Sequence, residues 1–262
     1  MRRPDLVSFW AVQTGVLFDL DGTLIDHDAA ARTALIASFT SGTVADPDGW
    51  SEDEVAAEWR RLERQHFGAY VAGTVTFEEQ RRSRLRGLLT YMGRPLLPDA
   101  ALDELFASYL VNYEQAWSPY ADVEPVLVRL HEAGVRLGVL TNGQEEQQLA
   151  KLRATGLVAY MHCVVASSAL REAKPARGAF RGACDRLGTT ASCTFYVGDD
   201  VTADAIAASA AGLKGIWLNR QSHPCAAPPP LIINNMTELL PLVLGNTESR
   251  RAAGPVPLPA KP

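Results

Sequence analysis

The chain has 262 residues, of which 47% are hydrophobic and 21% are charged, an ordinary composition for a globular protein. The formal net charge of −5 argues against non-specific binding to nucleic acid. The four cysteines form no C-x-x-C pair and accompany no histidine cluster, so we expect neither a zinc site nor disulfides, and a reducing cytoplasm suits the chain. Neither a signal peptide nor a membrane span is expected, because Asp5 and Gln13 interrupt the apolar N-terminal segment and every apolar run is short.

The first element is a short apolar run, residues 16–18, which is typical of a buried strand. It leads directly into the motif Asp19-Leu20-Asp21-Gly22-Thr23. Two carboxylates two residues apart project near one another at the end of such a strand, and neither has an obvious basic neighbour in sequence. This arrangement is costly unless a cation or a shared proton relieves it. The motif therefore indicates a role in chemistry at a functional site rather than a contribution to the stability of the fold.

The next region, residues 26–117, has almost no strand signal and is predicted to be helical. Two capping-box patterns, Ser51-x-x-Glu54 and Thr76-x-x-Glu79, mark helix starts. A basic run within the third helix, which includes Arg82, Arg84 and Arg86, is interpreted as a solvated face rather than a site for a substrate anion. The predicted helices cover residues 28–39, 51–71, 76–91 and 99–113.

From residue 118 onward, predicted strands and helices alternate, which indicates a parallel sheet covered by helices on both faces. The strands are predicted at residues 135–140, 162–166, 193–197, 215–218 and 231–233, and the helices at 126–133, 145–154, 175–187, 203–211 and 237–242. The fold class is therefore α/β, a Rossmann-like doubly wound parallel sheet with an α-helical cap inserted after the first strand. Residues 14–25 and 118–244 form the core, 26–117 the cap, and 245–262, with four prolines, a disordered tail.

Polar residues follow several of these strands, and ligands of an open parallel sheet bind at the carboxyl ends of its strands. Asp19 and Asp21 follow the first strand, and Thr141-Asn142-Gly143 follows the second. Gly198-Asp199-Asp200 follows the fourth, with Asp204 shortly after, and Lys174-Pro175 lies at a predicted helix start. These strand ends and loops bring acidic, hydroxyl, amide and ammonium groups to one edge of the sheet.

The charges at this edge do not balance. Five aspartates face one lysine, Lys174, and carboxylates within a few ångströms repel each other strongly at the dielectric of a protein surface. A divalent cation with oxygen ligands is the simplest remedy. Mg²⁺ fits, because it combines a few carboxylates with water and phosphate oxygens.

The four motifs, in this order, resemble those of the haloacid dehalogenase (HAD) superfamily, and the helical insert resembles the cap of its cap-type-one members. The likeness covers about residues 14–240. Any one motif is weak or moderate support, whereas four in the family's order are strong.

The resemblance implies a role for each residue. Asp19 would be the nucleophile that forms an aspartyl-phosphate, and Asp21 would be the general acid and base. Thr141, the Asn142 backbone N–H and Lys174 would bind the phosphoryl group. Mg²⁺ would be held by Asp19, Asp199 and the main-chain carbonyl of Asp21, and Asp200 and Asp204 would orient metal-bound water or Lys174 from outside the coordination sphere. From the residues alone, Asp200 could instead only cap the following helix, and Lys174 could be a solvated lysine.

The leading prediction is a Mg²⁺-dependent phosphatase acting on a small phosphorylated metabolite as a monomer or a homodimer. Two alternatives remain open at this point. Dehalogenating members of the superfamily lack the second aspartate and work without metal, so Asp21 favours phosphoryl transfer over a 2-haloacid dehalogenase. A phospho-receiver-like regulator also uses an acidic cluster and a lysine. Receivers, however, are shorter than this chain and lack a helical insert after the first strand.

Overall fold

The structure is a computed structural model that describes residues 13–40, 50–170, 172–227, 229 and 231–252. Residues 253–262, which belong to the predicted disordered tail, lie outside the described residues. The described chain falls into two compact units. One contains the segments up to Leu24 and from Tyr120 onward, and the other is Ile25–Pro119.

The first unit is built on a parallel sheet with six strands among the described residues, in the order β3-β2-β1-β4-β5-β6. Each neighbouring pair is parallel. This order and the surrounding helices confirm the predicted Rossmann-like α/β fold. The strands are β1 (Gly15–Phe18), β2 (Arg136–Thr141), β3 (Cys163–Ala166), β4 (Thr194–Gly198), β5 (Lys214–Leu218) and β6 (Ile232–Ile233).

The second unit is helical, as its sequence predicts. Ser51 and Glu54 form the predicted capping box, in which the serine hydroxyl accepts from the Glu54 N–H and the glutamate carboxylate accepts from the Ser51 N–H. Thr76 accepts from the Glu79 N–H, while the Glu79 carboxylate pairs with Arg86 at 2.8 Å. The helices are α1 (His27–Thr40), α2 (Glu52–Val71), α3 (Phe77–Tyr91) and α4 (Asp99–Gln115).

This helical unit has an apolar core of its own, because each helix turns one face inward. Trp59, Leu85, Leu88 and Leu102 are fully buried in it. Burial of aromatic and leucine side chains is the main favourable term in folding, so this core stabilises the helical unit.

Arg84 departs from the solvated face predicted for the basic run of α3. The residue is only 5% exposed. Its guanidinium carbon lies 4.2 Å from the centroid of the Trp59 ring, and its Nη2 lies 3.0 Å from Glu63 Oε1. Arg82 and Arg86 instead remain partly exposed, and they pair with Asp103 and Asp99. Arg84 is buried because it lies on the inward face of α3, where an aromatic ring and a carboxylate receive its charge.

Helices cover both faces of the sheet in the first unit. α7 begins at Arg177, two residues after the predicted start, and a turn of π-helix at Val201–Ile206 replaces the start of the predicted helix 203–211. α9 continues to Ala252, so residues 245–252 are helical in backbone where a disordered tail was expected. The helices are α5 (Val123–Glu132), α6 (Glu145–Ala154), α7 (Arg177–Leu187), α8 (Ala207–Ala211) and α9 (Leu239–Ala252).

One apolar cluster of this unit lies between the sheet and α7 and α8. Leu17, Phe180 and Tyr196 are fully buried there. This packing fixes β1 and β4 from one side, and both strands lead into the predicted acidic motifs. Of the helices that the structure describes, none is long and apolar enough to cross a membrane.

Candidate active site

The predicted site residues meet at the carboxyl edge of the sheet because of the strand order. β1 lies between β2 and β4, with Phe18 in register with Val139 on one side and Val197 on the other. The Asp19 N–H donates to the Val197 carbonyl at 2.8 Å, which continues the ladder by one residue. The strands that follow β1 in sequence are placed first on one side of it, as β2 and β3, and then on the other side, beginning with β4. Doubly wound sheets bind ligands at such a switch point.

Asp19 is 8% exposed and lies at the centre of this edge. Its Oδ1 accepts a hydrogen bond from Lys174 Nζ at 2.7 Å. The hydrogen bonds among the described residues leave its Oδ2 unused. One oxygen is therefore held by a cation, and the other is available to attack an electrophile.

Lys174 is buried and fully used as a donor, which excludes the solvated interpretation. Its Nζ donates to Asp19 Oδ1 and Asp204 Oδ1, both at 2.7 Å, and to the Tyr196 hydroxyl at 2.8 Å. These three acceptors match the three protons of an ammonium group. Burial disfavours the charge, but Asp19 and Asp204 outweigh it and raise the pKa of Lys174 well above its usual range. The lysine is thus a permanent cation.

Tyr196 was missed by the sequence reasoning. Its hydroxyl accepts from Lys174 and donates to the Leu140 carbonyl at 2.9 Å, with Asp204 Oδ1 at 3.1 Å. The residue lies inside β4 and passed for part of an apolar run. A signal was present, because the hydroxyl of a buried tyrosine requires a polar partner.

Three carboxylates converge beside this lysine. Ligand oxygens of Asp19, Asp199 and Asp204 all lie within 4.8 Å of one another. Burial raises the pKa of Asp19 and the pKa of Asp199 above the usual range, although part of the Asp199 residue faces solvent. The charge of Lys174 opposes this rise, and the negative charges of neighbouring aspartates add to it. A set of carboxylate oxygens of this kind suits Mg²⁺.

The glycine of the first motif allows Asp199 to approach. Gly22 has φ of +81°, and a Cβ placed on it would lie 2.5 Å from Asp199 Oδ2. Thr23 follows and donates from Oγ1 to Asp199 Oδ1 at 3.3 Å. Only glycine tolerates both the left-handed backbone and the contact, so the loop after β1 can place Thr23 and Asp199 together.

Asp204 and Asp200 have different surroundings although they are close in sequence. Asp204 is 1% exposed, with Oδ1 on Lys174 and Oδ2 accepting from the Asp200 N–H at 3.1 Å. Asp200 Oδ1 accepts from the N–H groups of Thr202 and Ala203, both at 2.8 Å. The contacts of Asp204 suit the orientation of Lys174, and those of Asp200 suit the capping role that the sequence left open.

Asp21 has a basic partner that is distant in sequence, which corrects the expected charge balance of five aspartates to one lysine. Lys151 Nζ lies 2.7 Å from Asp21 Oδ1 and 2.6 Å from Oδ2. Gln148 Nε2 lies 3.4 Å from the same carboxylate. Both residues are in α6, three positions apart and therefore on one face of the helix. The sequence signal for this contact was the spacing of Gln148 and Lys151 on a predicted helix that directly follows a strand with a polar motif at its end.

Thr141 and Asn142 lie at the end of β2. Thr141 is 2% exposed, and no hydrogen bond among the described residues uses its hydroxyl. Asn142 holds the backbone of Lys174 from both sides, since its Oδ1 accepts from the Lys174 N–H at 3.0 Å and its Nδ2 donates to the Lys174 carbonyl at 2.9 Å. This clamp lies in a turn closed by the Ala176 N–H, which donates to the Ala173 carbonyl at 2.9 Å, and the helix begins only after that turn.

Comparison with known proteins gives the family context of this geometry. The family model described as haloacid dehalogenase-like hydrolase matches residues 14–212. A ribulose-1,5-bisphosphate 5-phosphatase from Halopiger xanaduensis is 32% identical over 204 residues, which cover 78% of this chain and 83% of the relative. (S)-2-haloacid dehalogenase 4A from Burkholderia cepacia is 26% identical over 245 residues, which cover 88% of this chain and 94% of the dehalogenase.

A solved structure agrees with the fold. The HAD-hydrolase YfnB from Bacillus subtilis, bound to magnesium, superposes with a TM-score of 0.74 at 24% identity and covers 89% of this chain and 99% of its own. Because the family model spans most of the chain and the Halopiger enzyme exceeds 30% identity over most of its length, this protein belongs to the haloacid dehalogenase-like hydrolases.

Proposed function

We propose that this hydrolase is a Mg²⁺-dependent phosphatase that cleaves a small phosphorylated metabolite through an aspartyl-phosphate. One observation carries the proposal: Asp19 and Asp199 present converging carboxylates beside a buried lysine, with Asp21 two residues from the nucleophile. Phosphoryl groups carry negative charge. A site with five aspartates can bind them only if fixed or bound cations offset the repulsion. Phosphatases among the relatives, such as the Halopiger enzyme, agree with this substrate class.

In the first step, Asp19 Oδ2 attacks phosphorus while the bond between phosphorus and the ester oxygen breaks. Asp21, protonated at this stage, donates its proton to the departing oxygen, so the alcohol leaves neutral. Lys174 holds Asp19 by its other oxygen and aims Oδ2 at the substrate. Thr141, whose hydroxyl is at the end of β2, donates to a phosphoryl oxygen.

In the second step, water attacks phosphorus of the aspartyl-phosphate. Asp21, now ionised, accepts the water proton, and the bond between phosphorus and Asp19 breaks. Inorganic phosphate leaves, Asp19 returns as a carboxylate, and Asp21 is protonated again. The sum is one ester plus one water giving one alcohol and one phosphate.

Asp19, Asp199 and the main-chain carbonyl of Asp21 would hold the Mg²⁺ ion. When bound, the ion supplies positive charge that offsets both the carboxylates and the phosphoryl oxygens. Asp204 contributes through Lys174, because both of its oxygens already accept hydrogen bonds.

Turnover of p-nitrophenyl phosphate and acetyl phosphate by the purified full chain tests the proposal. We expect hydrolysis that requires Mg²⁺ and stops on addition of EDTA. Asp19→Asn should lose at least about 10³-fold in kcat, because the amide is not a nucleophile. The conservative control is Asp185→Asn, an exposed aspartate at the C-terminal end of α7, which should keep the wild-type rate.

Three results would overturn the assignment. If Asp19→Asn retains most of the activity, Asp19 is not the nucleophile. Release of chloride from 2-chloropropionate without added metal, with no phosphatase activity, identifies a dehalogenase. A phospho-aspartate that persists for minutes after incubation with acetyl phosphate identifies a receiver-like regulator.

A further inference from the structure

Lys151 is the second buried cation of this edge, and the steps proposed above do not use it. Its side chain is 3% exposed, whereas that of Asp21 is 27% exposed. Nζ approaches both carboxylate oxygens of Asp21, at 2.7 Å and 2.6 Å, so the ammonium contacts the two oxygens about equally rather than only one of them.

The approach of α6 to Asp21 depends on a small residue in the preceding loop. A Cβ on Gly143 would lie 2.3 Å from Gln148 Nε2, so a larger residue there would displace the glutamine. Gln148 adds a second donor to Asp21 from the same face of α6, at 3.4 Å. α6 thus presents two donors to one carboxylate, and the glycine of the preceding loop leaves room for one of them.

Stability alone is a weak explanation for this pair. Desolvation of a buried lysine often cancels the attraction of its partner, and apolar replacements of buried ion pairs are frequently neutral or stabilising. A bidentate contact does, however, fix the rotation of a carboxylate about its Cβ–Cγ bond. Orientation is what a group that must pass a proton to one defined atom requires.

We infer that Lys151 is the positioning residue that orients Asp21 for proton transfer to the leaving-group oxygen. The inference deepens the proposed function and rests on it. In the phosphoryl-transfer step, one Asp21 oxygen carries the proton while the other remains an acceptor of the Lys151 ammonium, and the bond from phosphorus to the ester oxygen breaks as that proton moves to the ester oxygen. Without Lys151 the carboxyl rotates, the proton is delivered less often, and the oxygen must leave as an anion.

Dependence of the rate on the leaving group separates this role from a structural one. An anion such as p-nitrophenolate leaves readily without a proton, whereas phenolate and alkoxides do not. Loss of positioning therefore lowers kcat/KM selectively for basic leaving groups, and kcat/KM reports the steps up to cleavage of the ester. A loss of folded protein lowers the values for all substrates by one factor.

The experiment measures kcat/KM of the full-length protein with Mg²⁺ for p-nitrophenyl, p-chlorophenyl and phenyl phosphate, which differ little in shape. For Lys151→Met we expect a loss of about 10²-fold with phenyl phosphate and less than about 3-fold with p-nitrophenyl phosphate, since general acid catalysis contributes about 10²–10⁴-fold. Lys151→Arg should recover most of the loss. Lys214→Met, the same change at the amino end of β5, should leave all three values unchanged.

Equal losses for all three substrates, or no loss, would overturn the inference, as would failure of Lys151→Arg to recover activity. Should Lys151→Met not fold, Lys151→Gln serves instead, because it keeps a donor without the charge, and its phenyl phosphate value must fall in the same selective way. A wild-type protein inactive on all three phosphates would count against the proposed function, which separates the two failures.

Discussion

Tyr196 joins the lysine of the site to the sheet beneath it. Its hydroxyl contacts Lys174 Nζ at 2.8 Å and the Leu140 carbonyl at 2.9 Å, all within the buried core. Burial raises the pKa of Tyr196 well above its usual range, with the charge of Asp204 adding to the effect, so the hydroxyl stays protonated. It therefore remains a donor, with the Leu140 carbonyl and Asp204 Oδ1 as its two acceptors.

Tyr196→Phe removes this hydroxyl and keeps the ring. We expect the free energy of unfolding to fall by about 1–2 kcal/mol, because the buried Leu140 carbonyl loses its donor. We also expect kcat/KM to fall by about tenfold as Lys174 loses one of three acceptors. Urea denaturation and phosphatase assays measure the two effects. Tyr160→Phe, which removes a surface contact with Glu124, is the control, and an equal effect there would contradict the prediction.

The raised pKa values of Asp19 and Asp199 have a consequence for stability. A carboxyl whose pKa rises on folding binds its proton more tightly in the folded state than in the unfolded one. The free energy of unfolding therefore falls as the pH rises from about 4, the unfolded carboxyl pKa, through the raised folded values. These two aspartates thus oppose stability at neutral pH, as functional groups often do.

Asp199→Asn should stabilise the metal-free protein at pH 8 relative to wild type, with a smaller difference at pH 5. In wild type, millimolar Mg²⁺ should raise the melting temperature more at pH 8 than at pH 5, because only the ionised carboxylates bind it. Thermal melts with EDTA or Mg²⁺ measure both effects. The prediction is wrong if Asp199→Asn is less stable at pH 8 or keeps the Mg²⁺ shift, and Asp185→Asn serves as the matched control.

The turn of π-helix after β4 shows how a secondary-structure element serves the site. It begins directly after Asp200, whose side chain satisfies two backbone N–H groups at its start. The turn carries Asp204 back toward Lys174, with Asp204 Oδ1 at 2.7 Å from Nζ. Capping and lysine orientation therefore come from one short segment.

Asp200→Ala decides between the two roles considered for this aspartate. If capping is its role, the free energy of unfolding falls by about 1 kcal/mol and the Mg²⁺ dissociation constant changes by less than about threefold. If Asp200 orients metal-bound water, Mg²⁺ affinity falls by about 10–100-fold. We expect the first outcome, since Oδ1 already accepts two hydrogen bonds. Denaturation and Mg²⁺ titration calorimetry distinguish the cases.

Among the described residues, each of the two units contains an apolar core cluster. One includes Trp59 and Leu102 in the helical unit, and the other includes Leu17 and Phe180 beside the sheet. Each unit buries its own hydrophobic surface, which is the usual condition for independent local stability.

Leu102→Ala should therefore weaken the helical unit selectively. The leucine is fully buried, and its truncation typically costs about 2–5 kcal/mol. Hydrogen exchange followed by mass spectrometry should show faster exchange in α2–α4 and little change in β1, β2 and β4. Leu96→Ala, at an exposed position, is the control. Uniformly faster exchange in both units would show that they unfold as one.

The sequence by itself determined the order of the strands and helices, the fold class and the residues at the strand ends. These follow from local periodicity and from the rule that parallel strands end at one edge. Only the tertiary structure decided which groups pair there. Lys151 and Asp21 are 130 residues apart, and Asn142 and Lys174 are 32 apart. Such contacts depend on how helices pack on the sheet, and no local pattern encodes that distance; the same is true of the burial that turned Arg84 inward and made Tyr196 a partner of Lys174.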